Sequence, residues 1–281
     1  MRVTRTRKEL RAALADLTGR RALVMTMGAL HEGHISLVRL AREQADHVVV
    51  SIYVNPLQFG PGEDFDSYPR QLDADLALLE PLGVEVVFAP DDAEMYPRRP
   101  LVRIDPGPIA TVLEGATRPD HFAGVLQVVH KVMNLVRPDV SMFGQKDAQQ
   151  LALVRTMVTD LDMGIEIVAV PIAREPDGVA QSSRNAYLNE DERRWARSLS
   201  EALRAGATRS GEGPEAALAA ALAEMHRASG ESGGTVLLDY LVLVDPQTFE
   251  PADPRAPVGL FAIAAWVGRT RLIDNLEVDF A

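Results

Sequence analysis

The stretch RALVMTMGALHEGHISLV (residues 21–38) decides the fold class of this chain. Residues 21–26 are apolar enough for a buried strand, and the residues after His31 place apolar side chains at helical spacing. His31 and His34 enclose Gly33 where the strand pattern gives way to the helical one. In α/β sheets, the turn that follows a strand is a common place for ligands. The stretch therefore predicts a strand, a ligand-binding turn and a helix in succession.

The alternation of strand and helix patterns continues to about residue 175, interrupted by an irregular segment that contains several prolines (residues 91–120). The further strand-like runs are residues 47–54, 84–90, 139–144 and 165–171, and the helical runs are residues 31–46, 71–83, 121–138 and 147–161. This order predicts an α/β fold with a Rossmann-like, doubly wound parallel sheet. Right-handed crossovers would bring the loops after the strands to one edge of that sheet.

The pattern changes in the C-terminal part of the chain. Two helical stretches, near residues 190–207 and 214–228, precede three strand-like runs at residues 236–245, 259–268 and 270–278. We therefore expect two domains: residues 1–175 with the parallel sheet, and a smaller α+β domain over residues 176–281.

Composition narrows the classes of function. The 281 residues carry a formal net charge of -11, which disfavours nucleic acid and anionic lipid as partners. The absence of cysteine excludes thiol catalysis and fits a reducing compartment. The N-terminus lacks the pattern of a secretory signal, and no apolar run is long enough for a membrane span. We expect a cytoplasmic protein without a nucleic-acid or membrane partner.

The stretch MGALHEGH (residues 27–34), here called the histidine turn, carries the sharpest chemical signal. If the helix begins near Gly33, His34 lies in its first turn and His31 just before it, where free backbone N–H groups attract phosphate. Imidazole can donate a hydrogen bond or a proton to phosphate oxygens, and Gly28 permits close backbone approach. The alternative is that both histidines are merely exposed to solvent at the start of the helix and bind no ligand. A zinc site lacks an obvious third ligand, so we predict no protein-bound metal centre.

Two further loops follow predicted strands. Asn55 and Gln58 offer neutral amides for a hydroxylated substrate, although an Asn-Pro turn alone would explain Asn55. In FGQKDAQQ (residues 143–150), Lys146 supplies a mobile cation. Asp147 and Gln150 also match a capping box, and that structural reading is compatible with ligand binding.

Two polar clusters are weaker candidates. Ser182, Ser183 and Arg184 could bind phosphate at the seam between the predicted domains, but such clusters are often ordinary loops. His121 opens the helix after the irregular segment, and the choice between a binding and a structural role stays open because Asp120 is a natural helix cap.

Five motifs occur in order over most of the first 190 residues: MGALHEGHISLV, SIYVNPLQFGPGEDFDSYPR, RPDHFAGV, FGQKDAQQL and SSRNAYL. With them the chain closely resembles the pantoate–β-alanine ligases of the H-x-G-H nucleotidylyltransferase superfamily, which also contains class I aminoacyl-tRNA synthetases. One departure is Gln181, where the family commonly has methionine or another apolar residue against the nucleotide. We expect Gln181 to alter a contact without abolishing activity.

The resemblance implies a reaction in two steps. Pantoate would attack ATP to give pantoyl adenylate and pyrophosphate, and β-alanine would then displace AMP to give pantothenate. It also implies Mg²⁺ bridging the phosphates with few protein ligands, a lid-like C-terminal domain and a homodimer, to which residues 91–120 could contribute.

The resemblance also implies roles for individual residues. His34, as proton donor, would act in catalysis with His31 and Lys146, and pantoate and β-alanine would be bound by Gln58, Gln150 and Asn55. The residues expected to bind ATP are Met27, Gly28, Ala29, Leu30, His31, Glu32, Gly33, His34, Gly144, Gln145, Lys146, Asp147, Ala173, Gln181, Ser182, Ser183 and Arg184.

Two rival functions remain open at this point. A nucleotidylyltransferase acting on a phosphorylated acceptor would need extra basic residues to bind the acceptor phosphate. The neutral pair Gln58 and Gln150 argues against this function. A catalytically silent nucleotide-binding module would keep the glycines without needing both His34 and Lys146.

Overall fold

A computed structural model describes residues 1–253 and 255–280 of the chain. The chain divides into two compact units. The first comprises Met1–Gly144 and Gln149–Pro171, and the second comprises Gln145–Ala148 and Ile172–Ala281. The short stretch Gln145–Ala148 thus groups with the C-terminal part of the chain, although the sequence places it between a strand and a helix of the first unit.

The first unit is built on a six-stranded sheet in the order β1-β4-β3-β2-β5-β6, with every neighbouring pair parallel. Its strands are β1 (Arg2–Thr4), β2 (Arg21–Thr26), β3 (His47–Ile52), β4 (Val86–Phe88), β5 (Val140–Gly144) and β6 (Glu166–Val170). The order reverses at β2, with β3 on one side and β5 on the other, so the predicted doubly wound α/β fold is confirmed.

The helices of this part of the chain connect the parallel strands. They are α1 (Arg7–Ala15), α2 (Glu32–Gln44), α3 (Leu72–Leu79), α4 (Asp92–Met95), α5 (Glu114–Thr117), α6 (His121–Val136) and α7 (Ala148–Asp160). Residues 91–120, predicted to be irregular, contain only the short helices α4 and α5 and one 3₁₀ turn (Pro108–Thr111). None of the helices described for residues 1–253 and 255–280 has the length and apolar character to cross a bilayer.

Burial on both faces explains why the central strands read as continuous apolar runs. Val48, Val49 and Val50 of β3 are all fully buried, on alternate sides of the sheet. The edge strand β1 is different: it has three residues, and only Thr4 is buried. The sequence pattern indicates no strand there, because so short an exposed strand carries no apolar periodicity.

The second unit is α+β, as its sequence pattern predicts. Its long helices are α8 (Glu190–Ala207) and α9 (Pro214–Glu231), and its antiparallel sheet has the order β7-β8-β9, with β7 (Val236–Val244), β8 (Val258–Val267) and β9 (Thr270–Asp279). Phe261 and Ile263 of β8 share one buried cluster with Leu203 of α8 and Met225 of α9. The sheet is therefore covered by helices, which gives this unit its own core.

Candidate active site

The histidine turn joins β2 to α2 at the carboxyl edge of the parallel sheet. His31 is the N-cap of α2, and its Nδ1 accepts a hydrogen bond from the Gly33 amide (3.1 Å). His34, in the first turn, accepts from the His31 amide through its own Nδ1 (3.3 Å). The two ring centroids lie 4.1 Å apart. The predicted positions of both histidines at the helix start are confirmed, and the two rings together form a reciprocal capping box.

This capping box fixes the tautomer of both rings. A ring nitrogen that accepts a hydrogen bond carries no proton, so a neutral imidazole must then carry its proton on the other nitrogen. His31 and His34 both accept through Nδ1. Each neutral ring therefore keeps Nε2–H as its donor, and a donor is what a phosphate oxygen requires.

The expectation of free backbone amides in the first turn of α2 needs correction. The Gly33 amide donates to His31 Nδ1, and the His34 amide donates to the His31 carbonyl (2.8 Å). Histidine at the cap position satisfies donors that would otherwise face a ligand. The imidazoles therefore replace these two amides as the groups that can contact phosphate.

Asp75 of α3 holds the turn from the other side. Its buried carboxylate, 1% exposed, accepts from the amides of Ala29 (3.1 Å) and Leu30 (2.9 Å). Gly28 has φ +86°, a backbone conformation that favours glycine, and a Cβ there would make a tight contact of 3.0 Å with Asp75 Oδ2. Sequence reasoning missed Asp75. The available signal was an acidic residue on the apolar face of a predicted helix, beside Leu72 and Leu76.

A cavity of about 310 Å³ opens beside the histidine turn. Met27 and Gly28 line it, together with Tyr53, Arg70 and Asp92 from other loops at this edge of the sheet. Tyr53 donates from its hydroxyl to Asp92 (2.8 Å), and burial, reinforced by that carboxylate, raises the pKa of the phenol well above its usual value. The wall of the cavity therefore presents a neutral hydroxyl beside charged groups.

Asn55 and Gln58 are buried at the end of β3, where a 3₁₀ turn covers Pro56–Gln58. Asn55 caps this turn by accepting from the Leu57 amide (3.4 Å), which confirms its structural reading. Its Nδ2 donates to Gln58 Oε1 (3.1 Å), and Gln58 Nε2 donates to Met27 Sδ (3.2 Å). The structure thus brings the Gln58 amide against the histidine turn.

The two adjacent glutamines of α7 have different surroundings. Gln149 is buried, and its Nε2 donates to the carbonyls of Ile109 (2.7 Å) and Val112 (2.9 Å). Its amide therefore holds the irregular segment in place. Gln150, which the sequence selected, is half-buried. Gln150 is therefore the more exposed member of the pair.

The structure shows what Asp120 and His121 contact at the start of α6. Asp120 has φ 66° and makes no side-chain capping bond, so the expected cap of α6 is wrong. His121 instead contacts the Gln58 carbonyl (2.8 Å) and Arg118 (3.1 Å). The left-handed backbone at Asp120 turns the chain into the helix without help from its carboxylate.

The lysine turn (residues 144–147) lies at the end of β5, where Gln145–Asp147 form a 3₁₀ turn. Asn275 of β9 donates to the carbonyls of Gln145 (2.8 Å) and Lys146 (2.9 Å). Lys146 Nζ lies 3.6 Å from Asp147 Oδ1, and the lysine side chain is 21% exposed. Asn275 is a second residue that sequence reasoning missed, because nothing local connects it to the turn.

The remaining predicted ATP residues form a separate group within the second unit. The Gln181 amide donates to the Ala173 carbonyl (2.9 Å), so these two residues are neighbours. Arg174, next in the chain, pairs with Asp274 at 2.7 and 3.0 Å. Ser182 caps the 3₁₀ turn Ser183–Tyr187 by accepting from the Arg184 amide (3.3 Å). The motif is therefore an ordered turn, with Arg184 at its start.

Within residues 1–253 and 255–280, no group of three or more histidine, aspartate or glutamate side chains is arranged to hold a metal ion. In the first unit, the two rings of the histidine turn offer N–H donors, and the neutral amide of Gln58 contacts Met27 of that turn. Such a set can offset charge that develops on phosphates.

The chain matches the Pantoate-beta-alanine ligase family over residues 2–277. It is 55% identical to the pantothenate synthetase of Salinispora arenicola over 277 residues, covering 98% of this chain and 97% of that protein. It is also 55% identical to the pantothenate synthetase of Thermobifida fusca, covering 98% and 95%.

Solved structures agree with the sequence comparison. The crystal structure of pantothenate synthetase from Thermus thermophilus has a TM-score of 0.90 and 43% identity, covering 98% of this chain and 99% of that one. The pantoate–β-alanine ligase of Francisella tularensis, solved with "Beta-gamma ATP" and β-alanine, has a TM-score of 0.81 and 33% identity, covering 98% and 97%.

Proposed function

The chain belongs to the pantoate–β-alanine ligase family, and we propose that its histidine turn assists the first half of that family's reaction. The protein is an ATP-dependent ligase that condenses (R)-pantoate with β-alanine through pantoyl adenylate, releasing AMP and pyrophosphate.

The chemistry explains why donors and cations are needed. A carboxylate is a poor acyl donor because its leaving group would be oxide. In the first step the pantoate carboxylate oxygen bonds to the α-phosphorus of ATP, and the bond to pyrophosphate breaks. In the second step the amine of β-alanine bonds to the acyl carbon, and AMP leaves. Negative charge rises on the phosphates during the first step, so groups that offset it accelerate adenylation.

We assign this electrostatic role to His34, His31 and Lys146. The Nε2–H donors that the capping box leaves on both rings support the assignment of the histidines. His34 would also supply a proton. ATP would be bound by the stretches 27–34 and 144–147 and by Ala173, Gln181, Ser182, Ser183 and Arg184, with Arg184 as a phosphate ligand.

Pantoate binding is assigned to the amides of Gln58 and Gln150, with Gln58 also near β-alanine. The contact between Gln58 Nε2 and Met27 Sδ supports this, because it places the amide beside the histidine turn. Asn55 is buried and already bonded to Gln58, so its proposed role is to orient that side chain.

Mg²⁺, assembly and domain roles complete the proposal. Mg²⁺ would be carried by the phosphates and water, which suits its preference for few protein ligands. Leu101 and Val102, 82% and 80% exposed, make residues 91–120 a suitable surface for a homodimer. Residues 1–175 would bind nucleotide and pantoate, residues 176–281 would act as a lid that keeps water from the adenylate, and the enzyme would work in the cytoplasm.

The proposal rests mainly on the histidine capping box. Isotope exchange between ATP and pyrophosphate tests it. Wild-type enzyme given pantoate without β-alanine should catalyse exchange, and Lys146→Ala should lose about a thousandfold of that rate while keeping its circular dichroism spectrum. Exchange at the wild-type rate in Lys146→Ala would refute the role of the lysine. Exchange that requires a phosphorylated acceptor in place of pantoate would favour a nucleotidylyltransferase. Absence of any exchange with pantoate would favour a catalytically silent nucleotide-binding module.

A further inference from the structure

His121, the first residue of α6, lies against the main chain of Gln58. We propose that His121 is a positioning residue for pantoate: it holds the Gln58 carbonyl and thereby sets the side-chain amide that binds the substrate. The inference rests on the proposed role of Gln58. It gives a purpose to the RPDHFAGV motif, whose histidine is not among the residues assigned to ligands above.

The contacts of His121 define its protonation. Nδ1 lies 2.8 Å from the Gln58 carbonyl oxygen, and since a carbonyl only accepts, Nδ1 carries a proton. Arg118 Nη1 lies 3.1 Å from Nε2, and since guanidinium only donates, Nε2 carries none. His121 is therefore a neutral ring with its proton on Nδ1, the opposite tautomer from His31 and His34. A ring so arranged bridges two groups of the protein.

Arg118 is held in place by an ion pair with Glu63, which belongs to the loop that follows Gln58. Its Nε and Nη2 donate to the two carboxylate oxygens of Glu63, at 2.9 and 2.5 Å, and Nη2 also lies 3.4 Å from the Gln58 carbonyl. Both side chains are mostly buried. The fork keeps the pKa of Glu63 below its usual range, so the carboxylate stays charged opposite the guanidinium.

The start of α6 is pressed directly onto the Gln58 turn. A Cβ on Gly124 would lie 2.1 Å from the Leu57 carbonyl oxygen and 2.7 Å from the Gln58 amide nitrogen, so only glycine permits this approach. Asn55 Nδ2 donates to the Gly124 carbonyl (3.0 Å). Gln58 is therefore held at its main chain by α6, while its side chain is held by Asn55 and Met27.

The chemistry of His121 suggests which variants separate positioning from packing. Asparagine retains a donor near the place of Nδ1, so His121→Asn should preserve the bond to the Gln58 carbonyl. His121→Phe keeps the ring and loses both hydrogen bonds. His130→Phe, the same change on a half-buried histidine of the same helix whose ring contacts Asn134, serves as the matched control.

The readout is the KM of each substrate in pantoate-dependent ATP–pyrophosphate exchange, together with the melting temperature. His121→Phe should raise the KM for pantoate about tenfold with the KM for ATP within about twofold of wild type. His121→Asn should recover most of that loss, and His130→Phe should match wild type. Equal rises in both KM values, or an Asn variant no better than Phe, would show that His121 only supports the fold.

A double-mutant cycle separates failure of this inference from failure of the proposed role of Gln58. If His121 acts through Gln58, then Gln58→Ala raises the KM for pantoate, and adding His121→Phe changes it little further. A Gln58→Ala enzyme with the wild-type KM would refute the role of Gln58 and the inference with it. A raised KM in Gln58→Ala beside a normal one in His121→Phe would refute only the inference.

Discussion

The histidine turn and the lysine turn look alike in sequence but are held in place by different means. Each follows a strand of the parallel sheet and leads into a helix. In the histidine turn, backbone amides donate hydrogen bonds to the turn's own two rings and to Asp75, which lies 45 residues after Leu30 in the chain. The lysine turn is held through its carbonyls by Asn275, which lies 130 residues beyond Gln145.

This difference separates what each turn contributes. The histidine turn is preorganised by short-range bonds that choose the tautomer of its donors. The lysine turn presents a flexible cation on a backbone that depends on the C-terminal sheet. We therefore expect substitutions at the first to act on proton and hydrogen-bond donation, and substitutions around the second to act through the placement of Lys146.

After Lys146→Ala, the largest effect is expected at His34, where the ring's donor and its capping role can be separated. In His34→Asn, Oδ1 can still accept from the His31 amide, but the donor at Nε2 is lost, so adenylation should fall about a hundredfold with little change in melting temperature. In His34→Gln the amide reaches nearer the place of Nε2, so more activity should survive. Exchange assays and thermal unfolding measure both. A His34→Asn enzyme as fast as wild type would contradict the assigned donor.

A smaller effect is expected at Asn275, because it bonds to the main-chain carbonyls of the lysine turn and would act through the placement of Lys146. Asn275→Asp places carboxylate oxygens against two carbonyl oxygens, so it should reduce the exchange rate about tenfold and more than Asn275→Ala does. The bonds of the histidine turn do not involve Asn275. The NMR chemical shifts of the His34 ring in the free enzyme should therefore be the same in wild type and both variants; shifted resonances would show that the two turns are coupled.

At Asp75 the expected effect is on stability. Asp75→Asn leaves one oxygen for two amides and turns an N–H₂ group toward a donor, so the free energy of unfolding should fall by about 1–3 kcal/mol. Chemical denaturation measures it. Asp73→Asn, at an exposed position of the same helix, is the control. Equal stability of the Asp75 variant and wild type would show that the turn does not need this carboxylate.

The smallest effect is the pH dependence of the Arg118–Glu63 pair. Arg118 holds the pKa of Glu63 below its usual value, so the pair stabilises the fold above the ordinary glutamate pKa of about 4.5 and loses this contribution as pH falls through the folded value. Arg118→Met should therefore be less stable than wild type by about 1 kcal/mol at neutral pH, with a gap that narrows in acid. A gap that is constant from neutral pH into acid would mean that packing, and not charge, accounts for it.

The parts of the fold that the sequence predicts are those written in local patterns. Buried β-branched runs such as Val48–Val50 identify the central strands, and the change of pattern after residue 175 marks the α+β part. The edge strand β1 is not predicted from the sequence, because its three residues owe their conformation to pairing with β4. Local sequence does not report a partner more than eighty residues away.

The candidate site divides in the same way. His31, His34 and Lys146 stand in motifs whose spacing is visible, so the sequence alone identifies them as candidates. Asp75 and Asn275, which hold the two turns, are single polar residues in otherwise ordinary helix and strand patterns. The wrong expectation at Asp120 has a similar origin, since its residue type favours a cap while its backbone conformation prevents one.

A crystal structure with pantoate and a nonhydrolysable ATP analogue would show whether the two rings of the histidine turn bind the triphosphate. We expect the Nε2 atoms of His31 and His34 to lie within hydrogen-bond distance of the triphosphate, with both Nδ1 atoms still bonded to backbone amides and the Gln58 amide bonded to pantoate. Imidazoles that contact the nucleotide through Nδ1, or that lie far from every phosphate, would contradict it.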